Sequence, residues 1–189
     1  SRPAGFISAN CSAPMSDDAG SAPPRLSVGV FYSGPASDVI PIDDVSHRVD
    51  IFSGTISAIV LDNRDRIEGQ PSASLVHAGT PWWGMGVDWD VTTDLSRWKR
   101  MHVAFKSSSA AFSDFKVTMN SGKDASVNAS AYGYKNDGTW HVLDIPVADF
   151  VAAGFDPAST RAPFVLGGGP GMAGESLKLA GLYFEEEQR

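Results

Sequence analysis

The sequence predicts an all-β chain folded as an antiparallel β-sandwich, and three observations carry that reading. From Leu26 onwards short apolar runs recur between clusters of Gly, Pro, Asn, Asp and Ser, at the spacing of a sandwich or barrel. Several of these runs alternate apolar and polar residues, the period of a strand with one buried face. No segment carries an apolar stripe of helix length. With 189 residues and 42% hydrophobic content, the chain is long enough for one sizeable core and too short for two.

Residues 1–25 (SRPAGFISANCSAPMSDDAGSAPPR) are rich in Ser, Ala, Pro, Gly and Asp and read as a flexible tail or linker, leaving 26–189 as the sandwich. Phe6 and Ile7 are the apolar exceptions, suited to pin this tail on the folded part. Cys11 is the single cysteine, so the chain has no internal disulfide and no thiol pair for a metal. It reads as an incidental exposed thiol. The sequon-like Asn10-Cys11-Ser12 and Asn128-Ala129-Ser130 matter only in a eukaryotic secretory host.

In the body, Ile56, Ala58 and Val60 are expected to face inward against Ser57 and Ile59. Met101, Val103 and Phe105 oppose His102, Ala104 and Lys106, and Phe115, Val117 and Met119 oppose Lys116, Thr118 and Asn120. Asp94 is expected to cap a turn through its side chain, with Leu95 and Trp98 plugging one end of the sandwich. Asn136-Asp137-Gly138 reads as a hairpin signal, because Asp and Gly accept positive φ. After it Trp140 and Val142 point in and His141 out, until Pro146 closes the strand. Leu177, Leu179, Gly181 and Tyr183 outline a last strand.

A formal charge of −7 argues against a nucleic-acid or anionic-membrane partner, both of which demand a basic face. No run of eighteen apolar residues is present, and the N-terminus lacks the basic-then-apolar pattern of a leader. Gly167-Gly168-Gly169-Pro170-Gly171 lacks the Lys-Ser/Thr of a phosphate loop and reads as a mobile turn. His47 and His77 have no paired ligand spacing and read as surface residues.

The candidate site centres on Trp82-Trp83-Gly84-Met85-Gly86-Val87-Asp88-Trp89. Period two sends Trp83, Met85, Val87 and Trp89 to one face and Trp82, Gly84, Gly86 and Asp88 to the other. The first set reads as core. The second reads as an open face where glycines leave a floor between an aromatic plate and a carboxylate, a layout suited to a sugar ring. Packing of Trp82 under a neighbouring loop is the alternative. Tyr132 and Tyr134 share a face if their segment is a strand, and serve either as an aromatic platform or as a pair that sets register. His102, Lys106, Lys116 and Asn120 are polar-face candidates for sugar hydroxyls.

Several segments, in this order, carry a family resemblance: Glu68-Gly69-Gln70-Pro71-Ser72-Ala73-Ser74-Leu75, Trp83-Gly84, Thr93-Asp94-Leu95-Ser96-Arg97-Trp98-Lys99, and Val103-Ala104-Phe105-Lys106-Ser107-Ser108. Asn136-Asp137-Gly138-Thr139-Trp140 through Pro146 to Phe150 follows, and then Phe164-Val165-Leu166 and Leu177 to Phe184. Together, over roughly residues 40–186, they resemble the jelly-roll, galactose-binding-like carbohydrate-binding modules of bacterial polysaccharide-degrading enzymes. The order is similar also to the C-terminal modules of bacterial family-three glucosidases and exo-glucanases. The resemblance implies a jelly-roll sandwich, a polysaccharide or oligosaccharide partner of β-glucan type, a covalently linked catalytic domain, and a secreted or periplasmic location.

The resemblance also implies a structural Ca²⁺, for which Asp44, Glu68 and Glu185, with Asp43 nearby, are the candidate oxygen ligands. No catalytic residue is expected. Two other readings stay open: a structural sandwich that props a catalytic domain, and a small polysaccharide hydrolase or lyase. For a hydrolase the carboxylates are Asp88 with Asp90, or Asp62, Asp65 and Glu68. For a lyase the acid and base candidates are Tyr132, Tyr134, Lys135 and His141, which do not stand in the order such motifs require.

Overall fold

The computed structural model describes residues 22–42 and 44–187, and there the alternating runs form two facing sheets. The strands are β1 (Arg25–Ser27), β2 (Asp38–Val39), β3 (His47–Ile51), β4 (Ile56–Ile67), β5 (Gln70–His77) and β6 (Trp83–Trp89), followed by β7 (Arg100–Lys106), β8 (Lys116–Asn120), β9 (Asp124–Asn128), β10 (His141–Pro146), β11 (Ala162–Gly168) and β12 (Ser176–Glu185). The smaller sheet runs β3-β6-β11-β8-β9 and is antiparallel throughout. The larger runs β10-β7-β12-β1-β2, with the β4–β5 hairpin joined to β12 through β5, and only its β1–β2 pair is parallel. Phe6, Ile7, Cys11, Asn10 and Asp43 lie outside the described residues, as does most of the expected tail.

Between the sheets, Trp83, Met85, Val87 and Trp89 of β6 meet Met101, Val103 and Phe105 of β7, Phe164 and Leu166 of β11, and Leu177 and Leu179 of β12, all buried. Removing each large apolar side chain from water contributes about 1.5–3 kcal/mol, so the strands are held chiefly by this shared layer. Leu95 and Trp98 are buried at one end as expected, and Asp94 Oδ1 accepts the Ser96 N–H at 2.8 Å. Pro146 ends β10 and leads into the short helix α1 (Val147–Ala152). No helix among the described residues is long and apolar enough to cross a membrane.

Bulges and loops overturn some expected orientations. In β4 the pairing with β5 shifts between Ile56 and Ala58, so Ile59 packs on the core while Val60 is exposed. In β10 it is Leu143 and Ile145 that are buried, which places His141 on their side and Val142 outside. Trp140, half-buried, donates from Nε1 to Asp65 at 2.9 Å. Asn136-Asp137-Gly138 makes a turn into β10, but no strand precedes it: residues Ala129–Tyr132 form a 3-10 turn.

A second shift in β4, between Asp62 and Arg66, carries Asp65 over the outer face of the larger sheet. There Asp65 receives Lys106 at 2.9 Å, Lys178 at 2.6 Å and Trp140, and Lys178 also reaches Asp62 at 3.4 Å. Burial alone would raise the Asp65 carboxyl; the hydrogen bonds from Lys178, Lys106 and Trp140 outweigh it and hold the group far below the usual carboxylate range. A carboxyl depressed in the folded state adds stability above its unfolded pKa, and the gain is lost as pH falls towards the folded value. Asp65→Asn should therefore destabilise the fold by about 1–2 kcal/mol at neutral pH. In urea titrations across pH, the gap to the parent protein should narrow once pH drops below about 4; a gap independent of pH would contradict this account.

Candidate functional site

The outer face of the smaller sheet is a set of cross-strand rows that follow from the register. One row reads Gly84, Gly167, Lys116, Asn128, with the Phe52 ring beside Gly84 at its end; the next reads Asp50, Gly86, Val165, Thr118, Ser126; a third brings Arg48 to Asp88 on one side and Asn120 to Asp124 on the other. Where side chains are missing, at Gly84 and Gly167, the face sinks into a hollow of about 550 Å³. Trp82 and Phe52 wall it on one side, and Lys116, Thr118, Ser126 and Asn128 on the other. A smaller hollow of about 280 Å³ adjoins it, lined by Asp88, Asn120 and Arg161, with Phe52, Val165 and Asp124 common to both.

Trp82 is 44% exposed, while Trp83 is wholly buried beneath the sheet. Their split follows from period two along β6. Phe52 sits in a 3-10 turn (Phe52–Gly54) after β3, and Thr55 staples this turn to β6: its Oγ1 accepts the Gly84 N–H at 3.0 Å. A Cβ placed on Gly84 would come 2.6 Å from Phe52 Cδ2 and 3.1 Å from Trp82 Cζ3, so both rings lean over a glycine. Gly168 turns towards the core, where a Cβ would strike the Trp83 indole; Gly167 faces out, where the nearest atom is Trp83 O at 3.6 Å. The run that reads as a mobile turn therefore begins as strand β11, and its first glycine floors the hollow.

Polar groups around the hollow are braced against one another. The Thr118 and Ser126 hydroxyls share a hydrogen bond of 2.7 Å, and Asn120 Nδ2 donates to Asp124 at 2.7 Å. Asp88 is held by Arg48 at 3.2 Å, and the same guanidinium takes Asp90 at 2.9 Å. Lys116 is exposed and has no ion-pair partner among the described residues.

Of the expected ligand residues, Trp82, Asp88, Lys116 and Asn120 share this face. The other four lie elsewhere. His102 is buried on the larger sheet, stacked on Tyr183 at 4.2 Å, with Nδ1 at 3.0 Å from Gly181 O and Nε2 3.2 Å from Glu68. Lys106 points to Asp65 on that same sheet. Tyr134 is core, its hydroxyl donating to Phe112 O at 2.6 Å, and Tyr132 donates to Asp149 at 2.6 Å. Because their segment is a turn and not a strand, the two tyrosines form no platform. Alternation places a residue on a face of its own sheet; which sheet that is depends on the long-range pairing.

The carboxylates expected for calcium are engaged separately. Asp44 Oδ1 accepts the N–H groups of Ser46 at 2.7 Å and His47 at 2.8 Å, Glu68 faces His102, and buried Glu185 is clamped between Arg25, at 3.1 Å, and Arg100. No group of three or more metal-ligating side chains is gathered among the described residues. Phe52, Val165, Gly167, Ser126 and Asn128 escaped the sequence reading. For Ser126 and Asn128 the signal was there, as polar positions alternating with Ala125 and Val127; for Phe52 there was only an aromatic before a Ser-Gly turn.

The fold is a two-sheet β-sandwich that solved carbohydrate-binding modules share. Among solved structures the chain is similar to the family 30 carbohydrate-binding module of a cellulosomal cellulase of Clostridium thermocellum, with a TM-score of 0.58 at 17% identity over 78% of this chain and 95% of that one. It is also similar to the family 11 carbohydrate-binding module of another cellulosomal cellulase of that organism, with a TM-score of 0.51 at 10% identity over 78% and 91%. A β-1,2-glucanase of Parabacteroides distasonis gives a TM-score of 0.52 at 14% identity, over 74% of this chain and 23% of the enzyme. No protein-family model and no curated protein matches the sequence.

Glycine inside a strand is less stable than a side chain that packs on the pleat, by about 0.5–1 kcal/mol. Gly167→Val has room on the outer face and should keep or raise the urea midpoint while filling the hollow. A midpoint lowered by more than about 1 kcal/mol equivalent would mean that the glycine serves packing instead.

Proposed function

We propose that this chain is a non-catalytic carbohydrate-binding module that holds a β-glucan-like polysaccharide in the hollow of the smaller sheet, as part of a secreted glycoside hydrolase. The observation that carries the reading is the glycine floor between the Trp82–Phe52 wall and the row of Lys116, Thr118, Ser126 and Asn128. A pyranose ring presents axial C–H groups to an aromatic face and hydroxyls at its rim, and the hollow offers one kind of surface for each. Similarity to modules of cellulosomal cellulases supports the ligand class and the linked catalytic domain. A polysaccharide also suits an open face, because a long chain needs a track and not an enclosing pocket. Affinity per site is modest, since a shallow face must order flexible hydroxyls and keeps only the surplus.

The placement of the acidic and phenolic groups supports a binding role. Asp65 is held ionised by two lysines, so it does not offer the protonated acid of a glycosidase, and Asp88 and Asp90 share the Arg48 guanidinium. Burial pushes the Tyr132 and Tyr134 phenols up to about 12, which keeps them as neutral donors. His141 Nε2 lies 2.8 Å from Asp137, at the turn before β10.

In affinity electrophoresis through soluble β-1,3-1,4-glucan, Trp82→Ala should weaken retention about tenfold while the unfolding midpoint stays within about 0.5 kcal/mol of the parent. Gly167→Val should abolish retention with the fold intact. Unchanged retention of both variants, or release of reducing sugar by the purified chain, would overturn the proposal.

A further inference from the structure

His77 reads in the sequence as an isolated surface histidine, yet its relative exposure is 0% and both ring nitrogens face backbone groups. It ends β5. Gly79 donates its N–H to His77 Nδ1 at 2.9 Å, which makes Nδ1 an acceptor, and Nε2 faces Gly169 O at 3.3 Å. These partners belong to two different loops. Gly79 opens the segment that leads to Trp82, whereas Gly169 opens the glycine-rich segment beyond β11; Trp82 and Gly169 both line the larger hollow.

The two loops close around the imidazole. Gly171 passes so near that a Cβ there would lie 2.7 Å from His77 Cδ2, and the Gly171 N–H meets Thr80 O at 3.4 Å. The His77 backbone joins in, its N–H donating to Glu175 O at 2.8 Å and its carbonyl accepting the Gly174 N–H at 3.0 Å. Phe112 meets the ring edge-on at 6.0 Å. A histidine needed only for packing has no use for two directed bonds to two loops; a buried phenylalanine would supply the volume without polar groups to satisfy.

We infer that His77 is the positioning residue for Trp82: its Nδ1 fixes the backbone at Gly79, three residues before the indole, and Nε2 ties that loop to the glycine floor. The inference rests on the binding role proposed for this face. Without the Nδ1 acceptor, the Gly79 N–H loses its only directed tie to the folded core, the loop shifts to find another partner, and the indole leaves its place over Gly84.

The test labels the tryptophans with 5-fluorotryptophan and follows the Trp82 fluorine resonance, assigned through Trp82→Phe, beside glucan retention. Asparagine can present Oδ1 where His77 Nδ1 stands, glutamine can present its amide only where Nε2 stands, and phenylalanine keeps the ring alone. His77→Asn should hold the Trp82 resonance and keep affinity for soluble β-1,3-1,4-glucan within about threefold, whereas His77→Gln and His77→Phe should shift the resonance and weaken retention about fivefold or more. Should His77→Phe not fold, the Asn and Gln variants decide by themselves. The same resonance and retention in all three, or equal damage in Asn and Gln, overturns the inference. If the parent chain retains no glucan, the binding proposal fails, and the resonance still decides whether His77 places the indole.

Discussion

Strand β6 sends two tryptophans between the sheets, and the volume of those rings governs what the neighbouring backbone can carry. Trp83 fills the core so fully that β11 must pass its indole with a glycine, Gly168. The buried Nε1 atoms of Trp83 and Trp89 have no hydrogen-bond partner among the described residues, a cost of about 1–3 kcal/mol each, which ring burial of similar or larger size offsets. Since side chains alternate along a strand, the inward tryptophans, methionine and valine leave Gly84 and Gly86 pointing outward. The hollow is thus the reverse side of the core.

The two faces of the sandwich solve different problems. On the larger sheet, the outward side is covered by the β4–β5 hairpin, whose bulge lays Asp65 between two lysines and an indole N–H and whose turn brings Glu68 to His102. Polar residues there are consumed in holding the hairpin down. On the smaller sheet nothing among the described residues covers the centre. Its polar side chains brace one another along the rows, Lys116 and Asn128 stand exposed, and the two aromatic rings are set at one margin. An aromatic wall, a bare floor and a polar rim in one shallow trough are the features on which the proposed sugar ligand rests.

Rigidity at the margin comes from loops fastened by buried polar groups. Thr55 anchors the Phe52 turn to Gly84, and His77 joins the Trp82 loop to the glycine-rich segment. Each device uses a buried side chain to fix a ring that walls the hollow, so the entropy of placing the ring is met during folding.

Much of this was legible in the sequence. Period-two alternation located β6, β7, β8 and β12, split Trp82 from Trp83, and placed Lys116, Asn120 and Asp88 on outward faces, because Cβ direction along an extended chain is a local property. Local rules also recognised the Asp94 turn and its buried Leu95 and Trp98. What they could not reach were the facts decided between strands: that His102 and Lys106 belong to the other sheet, that bulges in β4 exchange Val60 for Ile59, and that Phe52 and Gly167 meet at one floor. The solitary histidine at position 77 shows the limit plainly. The residues that follow it, Ala78-Gly79-Thr80, are small or polar, as at a surface, and only the closure of two distant loops over its ring makes it interior. Periodicity along one strand determined which way each side chain points; pairing and loop closure over long sequence separations determined what it meets there.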